Sequence, residues 1–185
     1  MFSKKELPFL AILRGIEEDD LKPLVDVLAA AGIRFLEITM NTPDATNLMR
    51  LIKQLCENKL VVGAGTVLNS HDLDNALSAG AGFIVTPSVI DDVINACVSE
   101  NIPVIPGALT PTEIHKAWSM GATMIKVFPA SVFGSGYIKA IKGPFDKIKV
   151  GVNLISPVNG QINGRMLIKG SQGNVILLSQ SFGPF

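Results

Sequence analysis

Ile102-Pro103-Val104-Ile105-Pro106-Gly107-Ala108-Leu109 runs straight into Thr110-Pro111-Thr112-Glu113. The first stretch is a short apolar run with the length of a buried strand. The second supplies an N-cap threonine, a proline at the first helical position and a glutamate placed to complete a capping box. A strand feeding a helix across so short a link is half of a βαβ unit, and the question is whether the unit repeats.

It does. Apolar runs recur at 9–13, 35–40, 60–67, 83–86, 102–109 and 124–128, with 148–152 a candidate seventh. Helical patterns lie between them. Leu21, Leu24, Val25 and Leu28 keep i, i+3, i+4, i+7 spacing, and so do Leu48, Leu51, Ile52 and Leu55. Thr42-Pro43-Asp44 and the stretch from Ser88 to Asp91 read as further helix starts. Ala31-Gly32, Ala79-Gly80 and Gly121-Ala122 read as helix ends. Strand and helix in fixed alternation predict a parallel sheet. Six or seven unbroken units favour an α/β fold of the parallel (β/α)8 TIM type over an open sheet. A doubly wound sheet is the alternative, but no Gly-x-Gly-x-x-Gly turn follows the first strand, which disfavours its nucleotide-binding version.

The bulk numbers fit. The chain has 185 residues, of which 48% are hydrophobic and 17% charged, with 16 basic and 16 acidic side chains. That suits one domain over 1–185 whose strands are covered on both faces. A balanced charge with no basic block argues against nucleic acid as a partner. No apolar run has the roughly 18 residues that a membrane span needs. Arg14 interrupts the only apolar stretch near the start, so neither a signal peptide nor a membrane is expected, and a cytoplasmic location follows by default. Cys56 and Cys97 fall in helical patterns and are expected as reduced core thiols. His71, at a helix start, and His115, beside Lys116, are expected to face solvent. No metal site or catalytic triad emerges, and no cofactor is expected.

In folds of this type, chemistry sits at the C-terminal ends of the strands. Those ends carry Arg14, then Glu37 with Thr39 and Asn41, then Gly65-Thr66, Thr86-Pro87 and Gly107, and finally Lys126 with Phe128. Lys126 stands out within Thr123-Met124-Ile125-Lys126-Val127-Phe128-Pro129-Ala130. Burial lowers a lysine pKa, and a neutral amine is a nucleophile that forms Schiff bases with carbonyl compounds. The competing reading is a strand-end lysine whose stem is packed and whose amine is in water. Glu37 also lies in an apolar strand. It reads either as a carboxylate that moves protons beside the iminium or as a structural partner for Arg34. Across one barrel mouth, Glu37 and Lys126 compensate each other's burial.

The motifs Ala11-Ile12-Leu13-Arg14-Gly15, Leu36-Glu37-Ile38-Thr39, Val62-Gly63-Ala64-Gly65-Thr66-Val67, Phe83-Ile84-Val85-Thr86-Pro87, Ile105-Pro106-Gly107 and Ile125-Lys126-Val127-Phe128-Pro129-Ala130 occur in that order. Together they resemble the class I 2-keto-3-deoxy-6-phosphogluconate aldolase / 4-hydroxy-2-oxoglutarate aldolase family, over residues 8–150. The resemblance implies that Lys126 is the Schiff-base lysine and Glu37 the general acid/base. It implies that Thr66 helps hold the carboxylate of the pyruvate moiety and that Arg14 lies near the distal phosphate or carboxylate. Pro87 and Phe128 would line the pocket, with Thr39 and Asn41 beside them as substrate-binding positions. A homotrimer needing no metal is implied in the same way.

Two departures from the family pattern bear on these expectations. Many members carry arginine where this chain has Asn41, and a neutral amide cannot make a bidentate charged contact with a carboxylate. Galactonate-type relatives have a similar Leu-Asn pattern, so Asn41 bears on the substrate more than on the reaction. The second departure is a divergent segment over 151–185. The family continues with a Thr-Gly-Gly turn and a Gly-Ser element that look like a phosphate cradle. Gly160–Arg165 and Gly170–Asn174 here show neither that pattern nor a helical period, and 175–178 reads as a last strand. The last unit of the barrel is therefore expected to be atypical or incomplete. A truncated or frame-shifted ordinary member would produce such a tail, and so would a genuinely divergent ending.

Two functions are weighed. The first is an aldolase that reversibly cleaves a 2-keto-3-deoxy-6-phospho sugar acid or 4-hydroxy-2-oxoglutarate to pyruvate and an aldehyde. The second is a catalytically impaired paralogue that binds a keto acid or serves only in assembly.

Overall fold

The computed structural model describes residues 9–56, 59–130, 133–154 and 177–182. Seven parallel strands alternate with six helices and form a curled sheet in sequence order. The strands are β1 (Phe9–Leu13), β2 (Phe35–Thr39), β3 (Val61–Gly65), β4 (Ile84–Thr86), β5 (Val104–Ala108), β6 (Ile125–Val127) and β7 (Val150–Leu154). The helices are α1 (Glu18–Ala30), α2 (Ala45–Leu55), α3 (Ser70–Ser78), α4 (Asp91–Ser99), α5 (Pro111–Ser119) and α6 (Gly134–Lys142). The parallel α/β architecture is the expected one.

The eighth strand differs. Leu177–Phe182 (β8) pairs antiparallel with both β7 and β1. A regular last unit would run parallel. A parallel strand needs a crossover, usually helical, whereas an antiparallel one does not. The lack of a helical period in the sequence before β8 accords with that. The readings at 160–165 and 170–174 lie outside the described residues.

Side-chain alternation along the strands sorts the core into two layers. Ala11, Leu13, Leu36, Ile38, Val62, Ala64, Ile84, Val104, Ile125 and Val127 face outward and pack with the helices in one continuous cluster. Leu10, Phe35, Phe83, Val85, Ile105 and Met124 form a separate cluster inside the curled sheet. Phe35 and Phe83 meet there edge to face, with centroids 6.3 Å apart. This inner layer is the floor under the strand ends.

Most of the helix signals hold. Leu21, Leu24, Val25 and Leu28 are buried on α1. α5 opens with a complete capping box: Thr110 accepts from the Glu113 N–H, and the Glu113 side chain accepts from the Thr110 N–H. On α2 the buried face is Ala45, Leu48, Met49 and Ile52, and Leu55 is 38% exposed. Two expected caps are absent. Asp44 precedes α2 in a left-handed conformation (φ 56°) without a side-chain cap bond, and Ile90 precedes α4. Thr42 is engaged elsewhere, as described below. Cys56 and Cys97 are free and buried, and burial pushes the Cys97 thiol up to about 11. His71 and His115 are both exposed.

Candidate active site

The lumen parity that places Leu10, Phe35 and Met124 in the floor carries upward along the same strands. It brings Ile12 and then Arg14 off β1, Glu37 and Thr39 on β2, and Lys126 and Phe128 from β6 to one side of the sheet. Parallel pairing sets their heights. Glu37 pairs with Ile12 and Gly63, and Lys126 pairs with Gly107 and Gly151. The glycines beside the two ionisable residues admit close neighbours: the Phe83 ring lies against Gly63 and the Pro87 carbonyl against Gly107.

Glu37 is 1% exposed. Its carboxyl Oε2 is buried and has no hydrogen-bond partner among the described residues. Burial holds the carboxyl above the usual carboxylate range, and the positive charges of Lys126 and Arg14 pull it partly back. Lys126 is half-buried. Burial holds its amine below the ordinary lysine range; Glu37 opposes that shift and Arg14 adds to it. The three groups therefore share one electrostatic neighbourhood, yet no hydrogen bond bridges Glu37 and Lys126 among the described residues. The Lys126 Nζ also lies 5.2 Å from the centroid of the Phe128 ring.

The other predicted residues lie at or just beyond the ends of the same strands. Arg14 is exposed at the mouth, and its Nη2 donates to Thr66 Oγ1 at 3.4 Å. Thr66 follows β3 with φ 56°, a left-handed conformation rare for a β-branched residue. Pro87 follows β4, with its carbonyl against Gly107, where a side chain would otherwise stand. Thr39 is fully buried, and its hydroxyl donates to the Leu13 carbonyl. Asn41 lies exposed beyond the end of β2, and no hydrogen bond or ion pair joins it to the others among the described residues.

Two features escape the sequence. The Glu37 carboxylate fills the space that a Gly65 side chain would need, so Gly65 keeps Glu37 in its rotamer. Thr42, which reads as a helix start, is 4% exposed; its Oγ1 lies 3.0 Å from Thr39 Oγ1 and accepts from the Gly15 N–H. The glycines beside Thr66 are legible as a place of close approach, but the group that approaches is not. Among the described residues, no three His, Cys, Asp or Glu side chains cluster as a metal site would require. No helix among them is long and apolar enough to cross a membrane.

A half-buried lysine, a buried carboxyl and an exposed arginine that share one electrostatic neighbourhood are an arrangement suited to a carbonyl compound carrying a negative charge. The family model for KDPG and KHG aldolases matches residues 3–160. The chain belongs to the KDPG and KHG aldolase family. Within it, a 2-dehydro-3-deoxy-6-phosphogalactonate aldolase of Escherichia coli K12 is 37% identical over 156 residues, 83% of this chain and 76% of its own length. A KDPG aldolase from Legionella pneumophila, solved with pyruvate captured at low pH as a covalent carbinolamine intermediate, superposes with a TM-score of 0.68 at 32% identity, covering 75% of this chain and 69% of that one. A cube-shaped protein cage designed by fusing symmetric oligomeric domains superposes with a TM-score of 0.74 at 38% identity, covering 80% of this chain and 54% of that one.

Proposed function

We propose that this chain is a Schiff-base aldolase that reversibly cleaves a 2-keto-3-deoxy-6-phospho sugar acid or 4-hydroxy-2-oxoglutarate to pyruvate and an aldehyde. The observation that carries this is the unbridged pair: Lys126, held toward its neutral form by burial, and a Glu37 carboxyl whose Oε2 has no hydrogen-bond partner among the described residues.

The steps follow from those two groups. The Lys126 amine adds to the C2 carbonyl to give a carbinolamine, which loses water to form an iminium ion. The iminium draws in the electrons of the C3–C4 bond as it breaks. The C4 hydroxyl loses its proton to Glu37, directly or through a water, and leaves as the aldehyde. The remaining enamine takes a proton back at C3, and hydrolysis of the iminium releases pyruvate and restores the amine. Glu37 is suited to both directions because burial brings its pKa toward neutrality. Thr66 and Arg14 hold the anionic parts of the substrate, Pro87 and Phe128 wall the pocket, and Asn41 completes the rim, while Thr39, expected as a substrate-binding position, is fully buried and supports the site from beneath through its bond to the Leu13 carbonyl. The chemistry as written uses no metal.

We read the scaffold as a (β/α)8 barrel with an irregular last unit, folded as one domain and acting as a homotrimer in the cytoplasm. The likeness to a building block of a symmetric assembly supports the oligomer. The impaired-paralogue reading draws no support from the site, because both reacting groups are in place.

Incubation with pyruvate and borohydride, followed by intact mass and peptide mapping, tests the reading. A reduced pyruvyl adduct on Lys126 is expected. No adduct on a folded chain, or an adduct on another lysine that survives Lys126→Ala, overturns it.

A further inference from the structure

Four atoms form a chain of hydrogen bonds around Arg14. The Gly15 N–H donates to Thr42 Oγ1, and the Thr39 hydroxyl donates to the Leu13 carbonyl. The two hydroxyl oxygens lie 3.0 Å apart. A hydroxyl has a single proton, and that of Thr39 is committed to Leu13. Thr42 is therefore the donor of the middle bond, and the chain runs Gly15 N–H to Thr42, Thr42 to Thr39, Thr39 to Leu13 O. Its two ends are the residues immediately before and after Arg14.

The pair is built into the core: Thr39 is 0% and Thr42 4% exposed. Gly15 has φ +62° with nothing within 4 Å of where a Cβ would stand, so its glycine serves the turn rather than a close approach. Arg14 itself is exposed, and its side-chain bond to Thr66 is long at 3.4 Å. The left-handed turn at Gly15 follows it directly. The bracket fixes its backbone on both sides.

We infer that Thr42 is a positioning residue for Arg14: with Thr39 it clamps the backbone on either side of Arg14, so that the guanidinium is held over the mouth where the anionic end of the substrate binds. The inference rests on the aldolase reading for what Arg14 does, but the clamp itself can be tested without turnover. Thr42 touches neither substrate nor the reacting atoms. A buried hydroxyl that only filled space would be replaceable by a methyl; this one has a donor and an acceptor that valine leaves unpaired.

The test compares wild type, Thr42→Val, Thr42→Ser, Arg14→Met and the Thr42→Val/Arg14→Met double variant, with Thr42→Ala read in place of valine should that chain not fold. The first readout is the pH dependence of cyanate carbamylation at Lys126, followed by peptide mass mapping. Arg14 and Glu37 are the charged groups that act on this amine. Arg14 lowers its pKa, so losing Arg14 or letting it swing away shifts the carbamylation profile to higher pH. Thr42→Val is expected to shift it in the same direction as Arg14→Met, the double variant to shift it no further than Arg14→Met, and Thr42→Ser to match wild type. The second readout is aldol cleavage, where Thr42→Val is expected to raise KM about 3- to 10-fold with kcat within about 2-fold. The inference is overturned if Thr42→Val leaves the profile at the wild-type position, if its effect adds in full to that of Arg14→Met, or if Arg14→Met itself causes no shift. A wild-type chain that cleaves nothing removes the aldolase reading alone, and the carbamylation comparison still decides the clamp.

Discussion

The Glu37 carboxylate occupies the volume that a β-carbon on Gly65 would take. The two residues lie on neighbouring parallel strands, with Glu37 paired to Gly63 and Thr39 to Gly65, so the side chain leans one position along the sheet and over the glycine. Gly65→Ala therefore forces the carboxylate off its seat. Overpacking of this kind costs about 1–3 kcal/mol, and misplacing the proton-transfer group is expected to lower kcat about 100-fold. Because the clash is with one side chain, Glu37→Ala should relieve it. The Gly65→Ala/Glu37→Ala protein is expected to unfold at nearly the temperature of Glu37→Ala alone. Full additivity of the two melting shifts would mean that Gly65 matters to the backbone and not to Glu37.

Lys126 has a cost to the fold that the proposed chemistry requires. Its folded-state pKa is depressed by burial, so the stability it contributes is present above its unfolded value and lost as pH falls through the folded one. At neutral pH the fold carries a desolvated amine. Lys126→Met removes it, abolishes imine formation, and is expected to stabilise the chain by about 1 kcal/mol at pH 7, a rise in Tm of about 2–4 °C for a domain of this size. The gain should shrink as pH is raised toward the ordinary lysine range. Thermal melts of the two proteins from pH 6 to pH 10 check this, and a Lys126→Met protein that melts below wild type throughout would show that the amine is well solvated.

The parallel architecture and the candidate pair Glu37 and Lys126 were legible because each left a local mark. Every parallel strand from β1 to β7 begins within two residues of an apolar run, and Glu37 and Lys126 were visible as charges that an apolar strand does not otherwise tolerate. Thr42 was not legible. Thr-Pro-Asp before an apolar periodic segment is a good helix start on local grounds, and only the proximity of β1 to β2 reveals that the hydroxyl is bonded to the turn after β1 instead. The direction of β8 was hidden for a similar reason: a short apolar run states that a strand exists, while its neighbours decide which way it points. Asn41 was read from a motif position, and among the described residues no hydrogen bond or ion pair joins it to the other site residues.

The capping box on α5 gives a control away from the site. Thr110 and Glu113 satisfy each other's backbone donors, and the bonds from Thr110 and Leu109 hold the Glu113 carboxyl below its ordinary range. Thr110→Ala should cost about 1 kcal/mol, lowering Tm by about 2–4 °C, with kcat and KM unchanged. A large loss of activity at unchanged Tm would extend the site into the β5–α5 turn, which follows the strand paired with Lys126.

The acid limb of the rate profile follows from the signs of the interactions at Lys126. Imine formation needs the free amine, so kcat/KM is expected to rise with pH through the Lys126 pKa, at a pH below the ordinary lysine range. Glu37 raises that pKa, so Glu37→Gln, besides lowering kcat about 100-fold or more, should shift the limb to lower pH. Arg14 lowers it, so Arg14→Met should shift the limb to higher pH. The two shifts have opposite signs although both variants lose activity, and that separates an electrostatic effect on the amine from general damage. Following pyruvate trapping by borohydride as a function of pH isolates the amine from the proton transfers that come after it. If both variants move the limb the same way, the group titrating in the profile is not Lys126 between these two charges.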